Sequence, residues 1–260
     1  MIYSLPLRTR GTECGADRWV TLPAIISYME HCRWGWLAEP SLGLVDAVHQ
    51  GHGFYVVNQS IAMSRRFGQG QNTQVRCVLR HVGRSVAQGD QDVVRDDGTS
   101  LAHCNIRGAW MGPTGRLARI PTQARESVTE ALLASERGEP QVGSPDSLFE
   151  PPQPLRPGTF GLEIIDDIPA GAHRRTLRVR ATDIDIFNHV NGANYVRYIA
   201  DSLAIQEASP SLHRAELKYM GQAKSGDLID VATWPLGDDV WAAGITRAGE
   251  PLFRATVQTE

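Results

Sequence analysis

Thr176-Leu-Arg-Val-Arg180, then Asp183-Ile-Asp185-Ile-Phe-Asn-His189-Val-Asn191, then the run from Gly192 to Glu207 form the stretch on which the reading of this chain turns. The first piece alternates with the period of two expected of a half-exposed strand. The third places Val196, Ile199 and Leu203 on one helical stripe, with Asn191 positioned to cap it. Four further strands are expected at Arg214 to Met220, Asp227 to Trp234, Val240 to Thr246 and Leu252 to Gln258. The last two are joined by the turn sequence Arg247-Ala-Gly249-Glu-Pro.

The first half of the chain repeats this order. A strand from Leu5 to Thr12 leads into a helix from Thr21 to Ala38, in which Leu22, Ile25, Ile26, Met29, Cys32 and Trp36 make one buried stripe. Thr21 is suited to cap it, and Pro23 is tolerated in its first turn. Strands are expected from Phe54 to Met63, Thr73 to His81, Ala87 to Arg95 and Ser100 to Met111, with Asp96-Asp97-Gly98 turning the last pair into a hairpin. One helix after the first strand and then an antiparallel meander, twice over, is a tandem α+β repeat. The expected architecture is a double hot-dog, in which each unit wraps a long helix in a curved antiparallel sheet.

The expected division is 1–121 for the first unit, 122–160 for a connector and 161–260 for the second unit. Eight prolines from Pro113 to Pro157 mark the connector. It holds one helix from Gln123 to Arg137, and a Pro/Gly/Ser-rich run from Gly138 to Ser147. An offset of 170 residues superposes the halves, placing Glu13 on Asp183, Gly15 on Asp185 and Trp19 on His189. The first unit therefore lacks the acid and imidazole of the second, and one site per chain is expected.

Several chemistries compete for Asp183, Asp185 and His189. A calcium loop fails because its fifth position is Phe187 and its twelfth Asn194. A transition-metal site lacks enough ligands nearby, so no metal is expected. A carboxylate beside a helix N-terminus suits acid/base or nucleophilic work on a carbonyl, with helix N–H groups meeting the developing oxyanion. The structural alternative is that both acids satisfy turn backbone while His189 packs under the helix.

The segment from Thr182 to Tyr195 resembles the hot-dog thioesterase signature: an acid, a short turn, His189-Val-Asn191, and a Tyr ten residues after the acid. Glu13-Cys-Gly-Ala-Asp-Arg18, with Trp110 and Gly115-Arg-Leu-Ala-Arg-Ile-Pro121, is similar to motifs of the acyl-ACP thioesterases in particular. That resemblance implies hydrolysis of an acyl thioester on acyl carrier protein or CoA. It implies Asp185 and His189 as catalytic residues, Phe187, Asn188, Asn191 and Gln222 as substrate-binding ones, and no cofactor. It also gives the first unit the acyl chain, where Tyr28, Trp34 and Trp36 are candidate tunnel linings. Two departures stand out. Phe187 occupies the place of the family's usual Asn, with Asn188 one position later. Gln222 and Ala223 replace the Glu and Cys of the plant enzymes, and a Gln cannot act as a base, which leaves Asp185 to supply base or nucleophile alone.

The remaining features exclude more than they assert. A formal charge of -3 offers no concentrated basic face for nucleic acid. No apolar run approaches the ~20 residues that span a bilayer, and the opening residues lack a secretory pattern, so a cytoplasmic location is expected. Cys14, Cys32, Cys77 and Cys104 form no CxxC pair and read as reduced thiols. The absence of GxSxG disfavours a serine hydrolase. Arg174, Arg175, Arg178 and Arg180 form a positive run that suits either a solvated strand or an acidic acyl carrier. A hot-dog dehydratase and a non-catalytic carrier-binding module are the competing functions, and pairing of two chains into a homodimer is left open.

Overall fold

The computed structural model describes residues 2–137, 161–206 and 211–260. The first helix, α1 (Leu22–Leu37), begins where expected because Thr21 Oγ1 accepts the Ala24 N–H and Pro23 sits in the first turn, where its missing N–H costs nothing. All six residues of its predicted stripe are buried. The equivalent helix of the second half, α4 (Gly192–Ile205), is capped by Asn191, whose Oδ1 accepts the Ala193 N–H at 2.9 Å.

The strands of the first half are β1 (Ile2–Arg8), β2 (Gly53–Met63), β3 (Asn72–Val82), β4 (Val86–Arg95) and β5 (Ser100–Met111). Those of the second half are β6 (His173–Arg178), β7 (Leu212–Tyr219), β8 (Leu228–Pro235), β9 (Val240–Arg247) and β10 (Glu250–Thr259). β6 starts three residues earlier than the alternation suggested and stops before Val179, whose N–H and carbonyl turn instead to Asp227 and Gly226. The β9–β10 turn carries positive φ at both Ala248 and Gly249, the backbone that matches the twist of a tight hairpin.

All ten strands form one sheet in the order β1-β3-β4-β5-β2-β7-β10-β9-β8-β6. Read from either outer edge the order is the same: first strand, third, fourth, fifth, second. The halves are thus two copies of one unit joined at the antiparallel β2–β7 seam, where Ser60 lies opposite Glu216 and Gln59 opposite Leu217. Ser60 Oγ donates to Glu216 Oε2 at 2.6 Å across that seam. Edge pairing and contact between α1 and α4 join the units, and each is capped by the other where its sheet would otherwise end in unpaired N–H and C=O groups. One hydrophobic core runs through both, with Ile61 and Cys104 from the first unit and Ala215 and Phe253 from the second, all fully buried.

Two helices outside the repeat pack on the first unit. The short α2 (Val45–His49), not expected from the sequence, follows α1. The connector helix α3 (Thr122–Glu136) lays Ala124 and Val128 against Trp36, Leu42, Leu79 and Trp110. The Gly138 to Ser147 connector lies outside the described residues.

Candidate active site

The loop from Arg180 to Asn191 is shaped by its own backbone. Residues Ala181–Asp183 form a 3-10 turn, Ile184 bridges Val190, and the Asp185 N–H donates to the His189 carbonyl at 2.9 Å. Asn188 closes the turn at φ 61, a left-handed conformation that Asn tolerates better than most residues, with its N–H on the Asp185 carbonyl. This pinch sets Asp185 and His189 opposite each other.

The first unit repeats the frame with Gly15 and Trp19 in place of the acid and the imidazole. Cys14 bridges Val20, the Gly15 N–H donates to the Trp19 carbonyl, and Arg18 closes the turn at φ 69. The outer acids are also a matched pair. Asp183 Oδ2 accepts the Arg180 N–H and the Tyr198 hydroxyl, as Glu13 Oε2 accepts the Arg10 N–H and the Tyr28 hydroxyl. In both, burial first and then the neighbouring acid push the tyrosine phenol upward, so each tyrosine remains a donor. Asp183 therefore organises the loop.

Asp185 is placed differently. Its Oδ1 accepts the Phe187 N–H at 2.9 Å, and its Oδ2 lies 3.1 Å from His189 Nδ1. Burial alone would lower the His189 pKa, but the hydrogen bond and charge of Asp185, aided by the Val190 carbonyl and Glu30, leave it raised. His189 Nε2 is buried without a hydrogen-bond partner among the described residues. A raised histidine stabilises the fold below its unfolded value of about 6.5, and that contribution is lost as pH rises through the folded value. The gap in unfolding temperature between the native protein and His189→Gln is therefore expected to shrink from about pH 5.5 to about pH 8.5. A gap that is constant or grows with pH would refute the pairing.

The site is completed by the first unit. Phe187 sits between Trp34 of α1, centroids 5.3 Å apart, and Tyr55 of β2 at 5.2 Å, both rings tilted to it, and both Phe187 and Tyr55 lie against His189. Gly53 is required beneath them, since a Cβ there would fall 2.7 Å from Phe187 Cζ. Asn191 Nδ2 donates to both oxygens of Glu30 on α1, at 2.9 and 2.7 Å. A cavity of about 250 Å³ runs between the units at this point.

Of the residues singled out in the sequence, Asp185, Phe187, His189 and Gln222 line this cavity. Asn188 is exposed at the turn, outside the lining. Asn191 uses both ends of its amide, one to cap α4 and one on Glu30, and faces a neighbouring polar cleft that Asp185 also borders. Trp34 lines the cavity, whereas Tyr28 is held by Glu13 and Trp36 is buried against Trp110. Glu30, Arg33, Tyr55, Gln59 and Tyr219 also reach the cavity and carry no local signature. The one available signal was a second helical stripe on α1, Ile26, Glu30, Trp34 and Leu37, flanking the apolar one.

Burial pushes the Cys77 and Cys104 thiols up to about 12, and Cys32 upward likewise, so none of these three is a thiolate nucleophile. Among the described residues no group of three or more His, Cys, Asp or Glu could hold a metal, and no helix is long and apolar enough to cross a membrane.

Residues 169–248 match the family described as the acyl-ACP thioesterase C-terminal domain. The chain is similar to a dodecanoyl-[acyl-carrier-protein] hydrolase of Cinnamomum camphora, 24% identical over 212 residues that make up 78% of this chain and 51% of that protein. It is 21% identical to a palmitoyl-acyl carrier protein thioesterase of Cuphea hookeriana, over 78% of this chain and 47% of that one. The chain thus spans about half the length of these curated relatives. Among solved structures, an acyl-ACP thioesterase from Bacteroides thetaiotaomicron superposes with a TM-score of 0.73 at 15% identity, covering 100% of this chain and 98% of that one. The 12:0-ACP thioesterase from Umbellularia californica gives 0.73 at 18% identity, covering 99% and 96%. The solved structures give the fold as the double hot-dog, and the acyl-ACP thioesterase resemblance read from the sequence holds against the family and the curated relatives.

Proposed function

We propose that this chain is a thioesterase that hydrolyses an acyl thioester carried on acyl carrier protein, or on CoA, and releases a free carboxylic acid. The observation that carries this reading is the Asp185–His189 pair at an inter-unit cavity beside the N-terminus of α4.

In this reading Asp185 is the base. Its carboxylate is oriented by the Phe187 N–H on one oxygen and His189 on the other. It takes a proton from a water that attacks the thioester carbonyl; the C–S bond then breaks, and the same proton returns to the departing sulfur. A thiol with a pKa of about 8.5 leaves readily, so little help is needed at that end. Gly192, in the first turn of α4, is one of the cavity-lining residues, and its N–H has no partner among the described residues. With the helix dipole behind it, that N–H is suited to receive the carbonyl oxygen as it becomes negative. His189, its Nε2 enclosed, acts through Asp185 by holding the carboxylate ionised and in place. Docking of an acidic carrier on the exposed Arg174 and Arg178 of β6 belongs to the same reading.

Incubation with acyl-ACP and acyl-CoA thioesters of varied chain, followed by thiol titration with DTNB, tests it. One thiol per free acid is expected for at least one acyl class. Absence of release from every thioester would refute hydrolysis, and water loss from hydroxyacyl thioesters without free thiol would point to a dehydratase.

A further inference from the structure

Arg33 projects from α1 into the cavity wall, and its Nη1 donates to Gln91 Oε1 at 2.6 Å. Gln91, on β4, is 1% exposed and is itself anchored by its Nε2 on the Met29 carbonyl at 2.8 Å. The guanidinium is therefore held in place by a buried amide. Among the described residues its remaining N–H groups have no partner, and no carboxylate lies within ion-pair distance of it. A guanidinium carries five donors, so most of the hydrogen-bonding capacity of this cavity-lining side chain is left without a protein partner among the described residues.

Other polar groups stand nearby. Gln59, also 1% exposed, is on the β2–β7 seam and accepts the Tyr219 hydroxyl at 3.4 Å. Burial raises the Tyr219 pKa, against the opposing charge of Arg33, so the phenol remains a donor. Ile26, Leu37, Val56 and Met111 add apolar lining, and the Glu30 carboxylate, held by the Asn191 amide, is the acid on this helix that also reaches the cavity. Arg33 reaches toward β4 in the first unit, whereas Asp185 and His189 belong to the second. The cavity therefore draws its guanidinium from one unit and its acid–imidazole pair from the other.

A saturated acyl chain lying here would strip water from an unpaired guanidinium and return no hydrogen bond, which is a costly arrangement. We propose that the cavity takes an acyl group bearing an oxygen acceptor (a keto, hydroxyl or carboxylate oxygen) that Arg33 binds away from the thioester. This rests on the thioesterase reading and names its substrate class. A cavity of about 250 Å³ is just below the ~300–1,000 Å³ usual for ligand pockets, which suits an acyl group of modest size.

The test uses medium-chain acyl-CoA thioesters of one length in four forms: saturated, β-keto, ω-hydroxy and ω-carboxy. Binding is measured by calorimetry on Asp185→Asn, which removes the proposed base, and kcat/KM for thiol release on the native protein. At least one oxygenated form is expected to bind and turn over about 10- to 100-fold better than the saturated one, the range of a charge-assisted hydrogen bond. Arg33→Met should collapse that ratio to about one, and Arg33→Lys, which keeps a cation, should retain part of it. Saturated thioester binding as tightly as all three oxygenated forms would overturn the proposal. So would an Arg33→Met variant that weakens every form equally. If the oxygenated preference appears in binding but no thioester is cleaved, the hydrolase reading falls and the specificity stands. Rapid cleavage with no preference among the four forms overturns the specificity and leaves the hydrolase reading standing.

Discussion

Asp185→Asn is expected to lower kcat for thiol release by about 10²- to 10⁴-fold, the usual contribution of a general base. The amide is nearly isosteric with the carboxylate. Its oxygen can still accept the Phe187 N–H that Asp185 Oδ1 now accepts. It cannot take a proton from water. The loss should therefore fall on kcat, with KM for the thioester little changed, because the interaction removed is made in the transition state. The same substitution removes the largest contribution raising His189, so the imidazole should titrate at lower pH than in the native protein. NMR titration of that ring and DTNB kinetics read the two effects separately. A variant retaining native kcat would remove Asp185 from the chemistry, whatever the ring does.

Asp183→Ala, two residues away, is expected to do the reverse. Asp183 is 8% exposed, and its carboxylate accepts the Arg180 N–H at 2.9 Å and the Tyr198 hydroxyl at 2.8 Å. Truncation leaves the hydroxyl of a largely buried tyrosine and a turn N–H without their acceptor. The cost is about 3 kcal/mol, combining a lost cap with an unsatisfied donor. For a chain of this size that corresponds to a fall of about 6–12 °C in unfolding temperature. Glu13→Ala, its counterpart at the 170-residue offset, should destabilise comparably, since it strips the same two kinds of partner. Thermal unfolding by circular dichroism measures both. If Asp183→Ala left unfolding unchanged while abolishing thiol release, Asp183 would have to be counted among the reacting groups.

The division of labour proposed for these two neighbouring acids was only partly legible in the sequence. The alignment of Glu13 with Asp183 already placed an acid at both positions, the mark of a structural role shared by both units. Asp185 aligned with Gly15, so that acid is present in one unit only. What could not be read was the partner of each acid. Tyr198 lies 15 residues from Asp183 and meets it only because α4 folds back over the turn.

The elements, their order, the caps at Thr21 and Asn191 and the repeat were written locally. Helical stripes, strand alternation and positive-φ turns act over a few residues, and a chain must satisfy them before anything packs. The opposed Asp185 and His189 belong to that class as well, because a single five-residue turn sets them facing. Tertiary structure alone decided that the units join through β2 and β7, that α3 closes over the first unit, and that Glu30, Arg33, Trp34 and Tyr55 complete a site whose acid and imidazole lie more than 100 residues later. Those contacts depend on which sheet edges are left unpaired and which helix faces remain to be covered, and such quantities exist only once both units have formed.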